Sequence, residues 1–277
     1  MKTIQAKQMI MPVASLMLTT GGLQAVINQS WTFEGAQWGS TDWTMAGSAG
    51  YAHDTGLLPD NPNRLRLTSN QYSQRGSTWL NTAQIAPADD WQISWRGQFS
   101  LPQNSGADGM ALVFQTQGTG VLSTYPDLST GLDTLSHYFA INLDSYQNTD
   151  HEAVNNAMEI LTNTGEPGWL NLGDALEIRD YFNVAVSYAS ATHLLSVTFD
   201  SDARDPVTGS WTVDLGASNM FSGANSLAYV GFVSATGSAG ENHDIMSASI
   251  NGVPEAGSLS LAAIGGLALL YRRRTRR

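Results

Sequence analysis

Short strand-like segments recur through most of this chain of 277 residues and constrain its fold more than any other feature. From Gln29 to Asn251, apolar or alternating runs are separated by Gly, Asn, Asp and Pro, and no long segment has helical periodicity. The number and spacing of these runs predict an all-β protein, a two-sheet antiparallel β-sandwich built as a single domain. The predicted strands are Asn63–Leu67, Ser77–Ala83, Trp91–Phe99, Gly109–Gln115, His137–Asp144, Glu159–Thr162, Tyr181–Ser187, Leu194–Asp200, Leu227–Ser234 and Asp244–Ile250.

Cysteine is absent from the chain, which excludes a disulfide framework, thiolate chemistry and a Cys-ligated zinc site. Stability must then come from the burial of a core. A domain of about 230 residues buries about 70–75% of the surface that its unfolded chain exposes, so core packing is sufficient.

Basic residues are concentrated at the two ends of the chain. Lys2 and Lys7 lie at the start and five arginines lie within 272–277, so the remaining six basic residues accompany 24 acidic ones. The body therefore carries a formal charge of −18. A surface this acidic repels phosphate backbones, so nucleic acid is not an expected partner.

The N-terminal segment is typical of a secretory signal peptide. Two lysines precede an apolar stretch from Met9 to Leu18, and small residues follow up to Ala25. We expect residues 1–25 to direct export and to be removed near Ala25. The alternative is a buried N-terminal helix, against which Pro12 and the flanking lysines count.

The C-terminal segment resembles the bacterial PEP-CTERM sorting signal. An apolar run, Leu259–Tyr271, is shorter than the roughly 20 residues of a spanning helix, and arginines follow it at once. Val253-Pro254-Glu255 precedes the run, with Ala256 where the signal usually has a second proline. For 252–277 the resemblance implies export, transient membrane association, cleavage near Pro254 and release to the cell surface or extracellular matrix. The alternative is a permanent C-terminal anchor.

The segment after the predicted strand His137–Asp144 has the donor chemistry of a calcium site. Asp144, the carbonyl of Tyr146, Asn148 and Asp150 place oxygen donors at alternate positions, and a bend in the chain would let them converge on one hard cation. Calcium takes about six to eight oxygen ligands at about 2.3–2.6 Å. The simpler alternative is an Asx-rich turn that follows a strand.

Four motifs, each of them weak alone, together resemble the L-type (legume-lectin-like) lectin family. They occur in the family's order between Trp31 and Ile250. The resemblance implies a concanavalin-like jelly-roll sandwich over residues 26–251 and a carbohydrate-binding protein that is not an enzyme. The motifs are Leu65–Ser69 continuing through Gly76–Thr82, Ala107-Asp108-Gly109 before the strand Met110–Phe114, the Asp144–Asn148 bend, and Val230–Ser247.

The resemblance also implies roles for individual residues. Asp108 matches the family's sugar-binding aspartate, which follows an alanine in a cis peptide bond and accepts hydrogen bonds from two vicinal hydroxyls. Asn148 matches the residue that ligates calcium and donates its amide N–H to the sugar. Tyr146 matches the aromatic residue whose carbonyl binds calcium while its ring packs on the sugar.

Two glycine-containing loops complete the site that the resemblance implies. Gly118 and Gly120 lie in the loop expected to offer backbone N–H groups to the ligand. Gly237, Ser238 and Ala239 match the late loop that frames the specificity pocket. Single-site sugar affinity is expected to be weak, so multivalent binding would raise it, and whether the protein forms a homo-oligomer is left open.

A second, transition-metal site found in plant members is not expected. Its first acid is replaced by Asn142, and His151 follows too closely behind Asp150 to match the usual histidine. The same segment is similar to the ER–Golgi cargo-receptor branch of the family. Whether Asp150 or a later residue completes the calcium site is left open.

Two other classes of protein share such a sandwich. A glycoside hydrolase needs two carboxyl groups about 5–5.5 or about 6.5–9.5 Å apart, but Asn142-Leu-Asp144 lacks the first acid, and Glu159 and Glu166 stand alone in the sequence. A structural matrix protein would keep the fold without its pocket. The pair His243-Asp244 is interpreted as structural and not as a catalytic dyad.

Overall fold

The computed structural model describes residues 28–35, 38–54, 63–81, 84–87, 89–122, 132, 135–146, 156–173, 176, 181–202, 204–217 and 227–253. The predicted signal peptide and nearly all of the predicted sorting segment lie outside these residues, as do Asn148, Asp150 and His151. Their assignments stay predictions. In the part of the chain that is described, no helix combines the length and apolar character needed to cross a membrane.

Fifteen strands lie within the described residues, and a single 3-10 turn, Ser190–Thr192, separates two of them. In chain order they are β1 (Asn28–Thr32), β2 (Trp43–Gly47), β3 (Gly50–His53), β4 (Asn63–Thr68), β5 (Arg75–Leu80), β6 (Asp90–Gln103), β7 (Gly109–Gln115), β8 (Tyr138–Asp144), β9 (Ala157–Thr162), β10 (Gly165–Asn171), β11 (Tyr181–Ala189), β12 (Leu194–Ser201), β13 (Arg204–Thr212), β14 (Tyr229–Ala235) and β15 (Gly240–Val253).

The strands form two antiparallel sheets, which confirms the predicted sandwich. An eight-stranded sheet has the order β13-β12-β11-β6-β15-β4-β3, with β1 also paired to β15. A seven-stranded sheet has the order β10-β9-β8-β7-β14-β5-β2. About half of the neighbouring pairs, such as β6–β15 and β5–β14, are distant in sequence, so long-range pairing specifies much of the fold.

Each of the ten predicted strands overlaps a strand of the structure, whereas β1, β2, β3, β10 and β13 were not predicted. Two of the missed strands, β10 and β13, contain proline and are edge strands of their sheets. Proline is tolerated at a sheet edge because its missing N–H faces away from the ladder. Their mostly exposed side chains also lack the apolar run of a buried strand.

The core lies between the two sheets, and β8 shows how alternation fills it. Phe139, Ile141 and Leu143 are fully buried in the main cluster. Asn142 and Asp144, which alternate with these residues along the strand, therefore point to the outer face of the seven-stranded sheet, because successive strand residues face opposite sides.

A second apolar cluster covers part of that outer face. Its residues are Trp79, Ala111, Val113, Ala140 and Val233 on the strands, with Leu132 and Leu135 from the segment between β7 and β8. The Trp79 indole N–H donates a 2.9 Å hydrogen bond to the Val121 carbonyl. The segment after β7 therefore packs back over the sheet, beside the edge where the site lies.

Candidate functional site

The candidate site lies at one edge of the seven-stranded sheet, where three loops meet. Gly109, the first residue of β7, pairs with Asp144 at the end of β8 and with Ala235 at the end of β14. The loop that enters β7 therefore lies between the loops that leave its two neighbours. This pairing brings Asp108, Tyr146 and the 237–239 loop to the same edge.

Asp108 is held from both sides through its backbone. Its N–H donates to the Ala235 carbonyl at 2.9 Å, and its carbonyl accepts from the Ser145 N–H at 3.1 Å. The Ala107–Asp108 peptide bond is cis, as the family resemblance implies. The residue is 3% exposed, so its carboxylate lies in a recess between neighbouring loops.

The end of β8 bends sharply at Asp144. The Tyr146 N–H donates to Asp144 Oδ1 at 2.7 Å, which makes the bend an Asx turn. The simpler alternative from the sequence therefore describes the backbone here, but it does not exclude a metal. A carboxylate with two oxygens has further lone pairs after accepting one N–H.

Two of the four predicted calcium ligands, Asp144 and Tyr146, lie within the described residues, and their chemistry fits calcium. Asp144 lies at the bend and is 5% exposed. Its carboxylate and the Tyr146 carbonyl offer hard oxygen donors. Within the described ranges, no three His, Asp or Glu side chains are grouped to hold a metal ion. An all-oxygen set that mixes carboxylate, carbonyl and amide groups suits calcium, and zinc sites rely on nitrogen or sulfur.

Tyr146 and the late loop border the recess of Asp108. Tyr146 is 38% exposed, so part of this aromatic residue is accessible to a ligand. Gly237 and Ala239 are buried, and Ser238 between them is exposed. The structure thus brings together Asp108, the Tyr146 bend and the 237–239 loop.

Gly118 has a different placement, and Gly120 lies on the chain that returns toward the site edge. The Gln115 side-chain amide donates to the Gly118 carbonyl at 2.7 Å, which holds Gly118 at the end of β7 opposite to Asp108. The seven residues of β7 put these ends roughly 20 Å apart. Gly120 lies on the return path, just before the Val121 carbonyl that accepts from Ser77 and Trp79. The structure does not place Gly118 beside Asp108.

Glu159 has a partner that the sequence did not reveal. Its carboxylate accepts a 2.8 Å hydrogen bond from the Asn142 amide across the β8–β9 ladder, and both residues are nearly buried. Asn142 stands where a hydrolase on this fold would carry its first acid. Glu159, the acid on the next strand, is hydrogen-bonded to that asparagine.

A buried polar network lies directly behind the site, and sequence reasoning missed it. Glu241, 2% exposed, accepts from the Ser145 hydroxyl at 2.5 Å and contacts His243 Nε2 at 3.2 Å. His243 Nδ1 lies 2.5 Å from the Thr68 hydroxyl and 2.7 Å from that of Ser234. The network joins the start of β15 to the bend that carries Asp144 and Tyr146.

The network has the composition of a hydrolase triad but not its accessibility. Ser234 is 1% exposed and His243 is fully buried. The Ser234 hydroxyl also donates to the Gly109 carbonyl at 2.7 Å. A nucleophile must reach its substrate, so these residues support the structure of the site and not a hydrolytic reaction.

Replacing Ser145 by alanine is expected to destabilise the protein by about 1–3 kcal/mol, because a buried carboxylate loses a hydroxyl donor. Calcium affinity should fall as well, since Ser145 lies between Asp144 and Tyr146. Urea unfolding and a calcium titration would measure the two effects. Ser145→Thr, which keeps the hydroxyl, should recover most of both.

Ser94→Ala is the matched control, because the Ser94 hydroxyl bonds only to Ser249 on the outer face of the other sheet among its described contacts. Its effect should stay within about 0.5 kcal/mol. Equal stability of the Ser145→Ala and Ser94→Ala variants would contradict the role given to the Glu241 network.

A family profile matches most of the chain. The profile described as the legume lectin domain matches residues 40–263. The matched range includes Asp108, the Asp144–Tyr146 bend and the 237–239 loop. No curated protein matches the sequence.

Solved lectin structures share the fold at low sequence identity. The lectin from Bauhinia forficata in complex with GalNAc is 19% identical, with a TM-score of 0.64, and the alignment covers 82% of this chain and 99% of that one. Winged bean acidic lectin complexed with methyl-α-D-galactose is 21% identical, with a TM-score of 0.62 and coverage of 81% and 98%. The Ca²⁺/Man3GlcNAc-bound exoplasmic/lumenal domain of VIP36 is 22% identical, with a TM-score of 0.57 and coverage of 76% and 86%. All three are similar in fold, a concanavalin-like sandwich.

Proposed function

Because this chain belongs to the legume lectin domain family, we propose that it is a calcium-dependent lectin that binds carbohydrate at the edge of its seven-stranded sheet. The observation that carries the proposal is the pairing of Gly109 with both Asp144 and Ala235. That pairing puts a recessed carboxylate, an accessible aromatic ring and a loop with an exposed serine side by side.

These groups suit the chemistry of a saccharide. The Asp108 carboxylate accepts hydrogen bonds from two vicinal hydroxyls, and a charged acceptor makes such bonds stronger than neutral ones. The Tyr146 ring packs against the apolar C–H face of the sugar. The 237–239 loop limits which hydroxyl arrangements can enter.

Calcium, when bound, supplies a fixed positive centre at the bend after Leu143. Asp144 and the Tyr146 carbonyl would hold it, together with Asn148 and Asp150 from the adjoining segment. Fixing the bend in advance lowers the ordering cost of sugar binding. Two related proteins support the proposal, since VIP36 is described as Ca²⁺/Man3GlcNAc-bound and the Bauhinia lectin as bound to GalNAc.

The protein is tested as a lectin by a glycan array in buffered calcium and in chelator. Binding to at least one saccharide is expected with calcium and is expected to vanish with chelator, because Asp144 and Tyr146 then lose their common partner. If the protein binds no saccharide on a broad array, a structural matrix protein would be favoured. Turnover of any arrayed or soluble glycan would favour a glycoside hydrolase.

We further propose that the protein is exported and released from the membrane. The two lysines and apolar stretch before Ala25 and the Val253-Pro254-Glu255 segment support this. The intact mass of the protein purified from the medium of a bacterium that has the PEP-CTERM sorting system should correspond to a chain that begins after about residue 25 and ends near Pro254. A mass that retains the C-terminal arginines would instead indicate a permanent anchor.

A further inference from the structure

A second turn lies beside the candidate site, on the far side of the 237–239 loop from Asp108. Since β14 lies between β7 and β5 in the sheet, the turn that enters β5 is next to the loop that leaves β14. This turn, Ser69–Gln74, carries an exposed aromatic residue, Tyr72.

The Ser69–Gln74 turn is bonded directly to the loop. The Ser73 N–H donates to the Gly237 carbonyl at 3.0 Å, and the Thr236 hydroxyl donates to the Gln71 carbonyl at 2.7 Å. At Gly240 a Cβ atom would lie 2.9 Å from the Gln71 carbonyl oxygen, so the two segments approach as closely as a glycine allows. The turn and the loop therefore form one surface.

Asn104 joins Tyr72 to the exposed residue of the loop. The Asn104 amide donates to the Tyr72 hydroxyl at 3.3 Å and to the Ser238 carbonyl at 3.2 Å. Tyr72 is 49% exposed, and Asn104 and Ser238 are exposed too. The aromatic ring is thus tethered at its hydroxyl, and the Tyr72 hydroxyl, an acceptor in this bond, still has a proton to donate.

Backbone conformation indicates that the Ser69–Gln74 turn and the turn at Asn104 and Ser105 are both held in place. Ser73 and Asn104 each have φ 53°, and Ser105 has φ 76°. For serine the left-handed region costs of order 1–3 kcal/mol unless surrounding contacts impose it. Leu101, with φ 54°, lies where β6 has an extra residue opposite β15, and such bulges redirect the chain that follows.

We propose that Tyr72 and Asn104 form a second sugar subsite, which binds the saccharide unit next to the one held at Asp108. This inference rests on the proposed lectin function and extends it from monosaccharide to oligosaccharide recognition. The Tyr72 ring stacks on the apolar face of the second unit, and the Tyr72 hydroxyl and the Ser238 hydroxyl bond to its oxygens. An exposed ring that is already fixed binds at a lower ordering cost than a mobile one.

The test compares single sugars with longer ones in calcium. The probes are methyl glycosides of mannose, glucose, galactose and N-acetylgalactosamine, and di- and trisaccharides that carry each of them at the non-reducing end. The wild-type protein should bind an oligosaccharide more tightly than its terminal monosaccharide. Tyr72→Ala should lower the oligosaccharide affinity about fivefold to tenfold and leave the monosaccharide affinity within about twofold.

Two further variants sharpen the result. Tyr72→Phe keeps the ring but loses the hydroxyl and its bond to Asn104, so its oligosaccharide affinity should lie between those of the Tyr72→Ala variant and the wild-type protein. Trp38→Ala removes another exposed aromatic residue, 44% exposed and next to Ala52 at the far end of β4 from the turn, and should change neither affinity.

The subsite is overturned if the wild-type protein gains nothing from the longer sugars, or if Tyr72→Ala lowers both affinities equally or neither. These outcomes leave monosaccharide binding, and with it the lectin function, intact. If the wild-type protein binds none of the probes, the lectin function and the subsite both fail.

Discussion

Replacing Asp108 by alanine is expected to remove saccharide binding and to leave the fold intact. The carboxylate would make two charge-assisted hydrogen bonds to a sugar, each worth about 1.5–3 kcal/mol, so affinity should fall by at least about a hundredfold. The backbone of Asp108 bonds to Ala235 and Ser145, and the substitution keeps these two bonds. Calcium binding at the neighbouring bend should persist.

Isothermal titration with the saccharide that binds best on the array would measure the loss, and thermal unfolding would verify the fold. Asp205→Ala is the matched control, because it removes an exposed aspartate from β13, an edge strand of the other sheet. The saccharide affinity of the Asp205→Ala variant should equal that of the wild-type protein. Normal sugar binding by the Asp108 variant would mean that the site lies elsewhere.

Replacing Asp144 by alanine is expected to remove calcium and sugar binding together. Asp144 contributes a carboxylate to the proposed metal site and also accepts the Tyr146 N–H that shapes the bend. Its loss therefore releases the metal and the aromatic residue at the same time. The contrast with Asp108→Ala, which should lose only sugar, separates a metal ligand from a sugar ligand.

A calcium titration followed by terbium luminescence, in which Tyr146 is positioned to act as sensitiser, would measure the metal. Glu159→Gln is the control, because a glutamine oxygen can still accept from Asn142 on the same face of the sheet. The Glu159→Gln variant should keep calcium binding, because Glu159 is not among the proposed ligands. Sugar binding by Asp144→Ala without calcium would show that the metal is dispensable.

The strands that could be predicted from the sequence are mainly those that the sandwich buries. β7 and β14 are apolar on both faces, because the core lies on one side and the Trp79 cluster on the other. Edge strands such as β10 and β13 are exposed and contain glycine and proline, so neither periodicity nor composition distinguishes them from loops.

The candidate site was predictable where it depends on the order of motifs along the chain. The resemblance placed Asp108, the Asp144 bend and the late loop together, and the strand pairing of Gly109 agrees with that placement. The contact between Ser145 and Glu241 was not predictable. It joins residues 96 positions apart, and it depends on bulges in the β6–β15 pairing that leave no periodic signal.

The loop after β7 shows a second limit of sequence reasoning. Gly118 has the residue type of a backbone donor loop, but Gln115 binds its carbonyl and N–H at the distant end of the strand. The path of a long loop depends on such side-chain contacts. Neither glycine spacing nor turn propensity contains that information.

The most direct test of the account is a crystal structure of the protein with calcium and a bound saccharide. We expect the Asp108 carboxylate to accept hydrogen bonds from two neighbouring sugar hydroxyls, with calcium on Asp144 and the Tyr146 carbonyl. A saccharide seated away from the loop edge of β7, or a calcium ion that contacts neither Asp144 nor Tyr146, would contradict it.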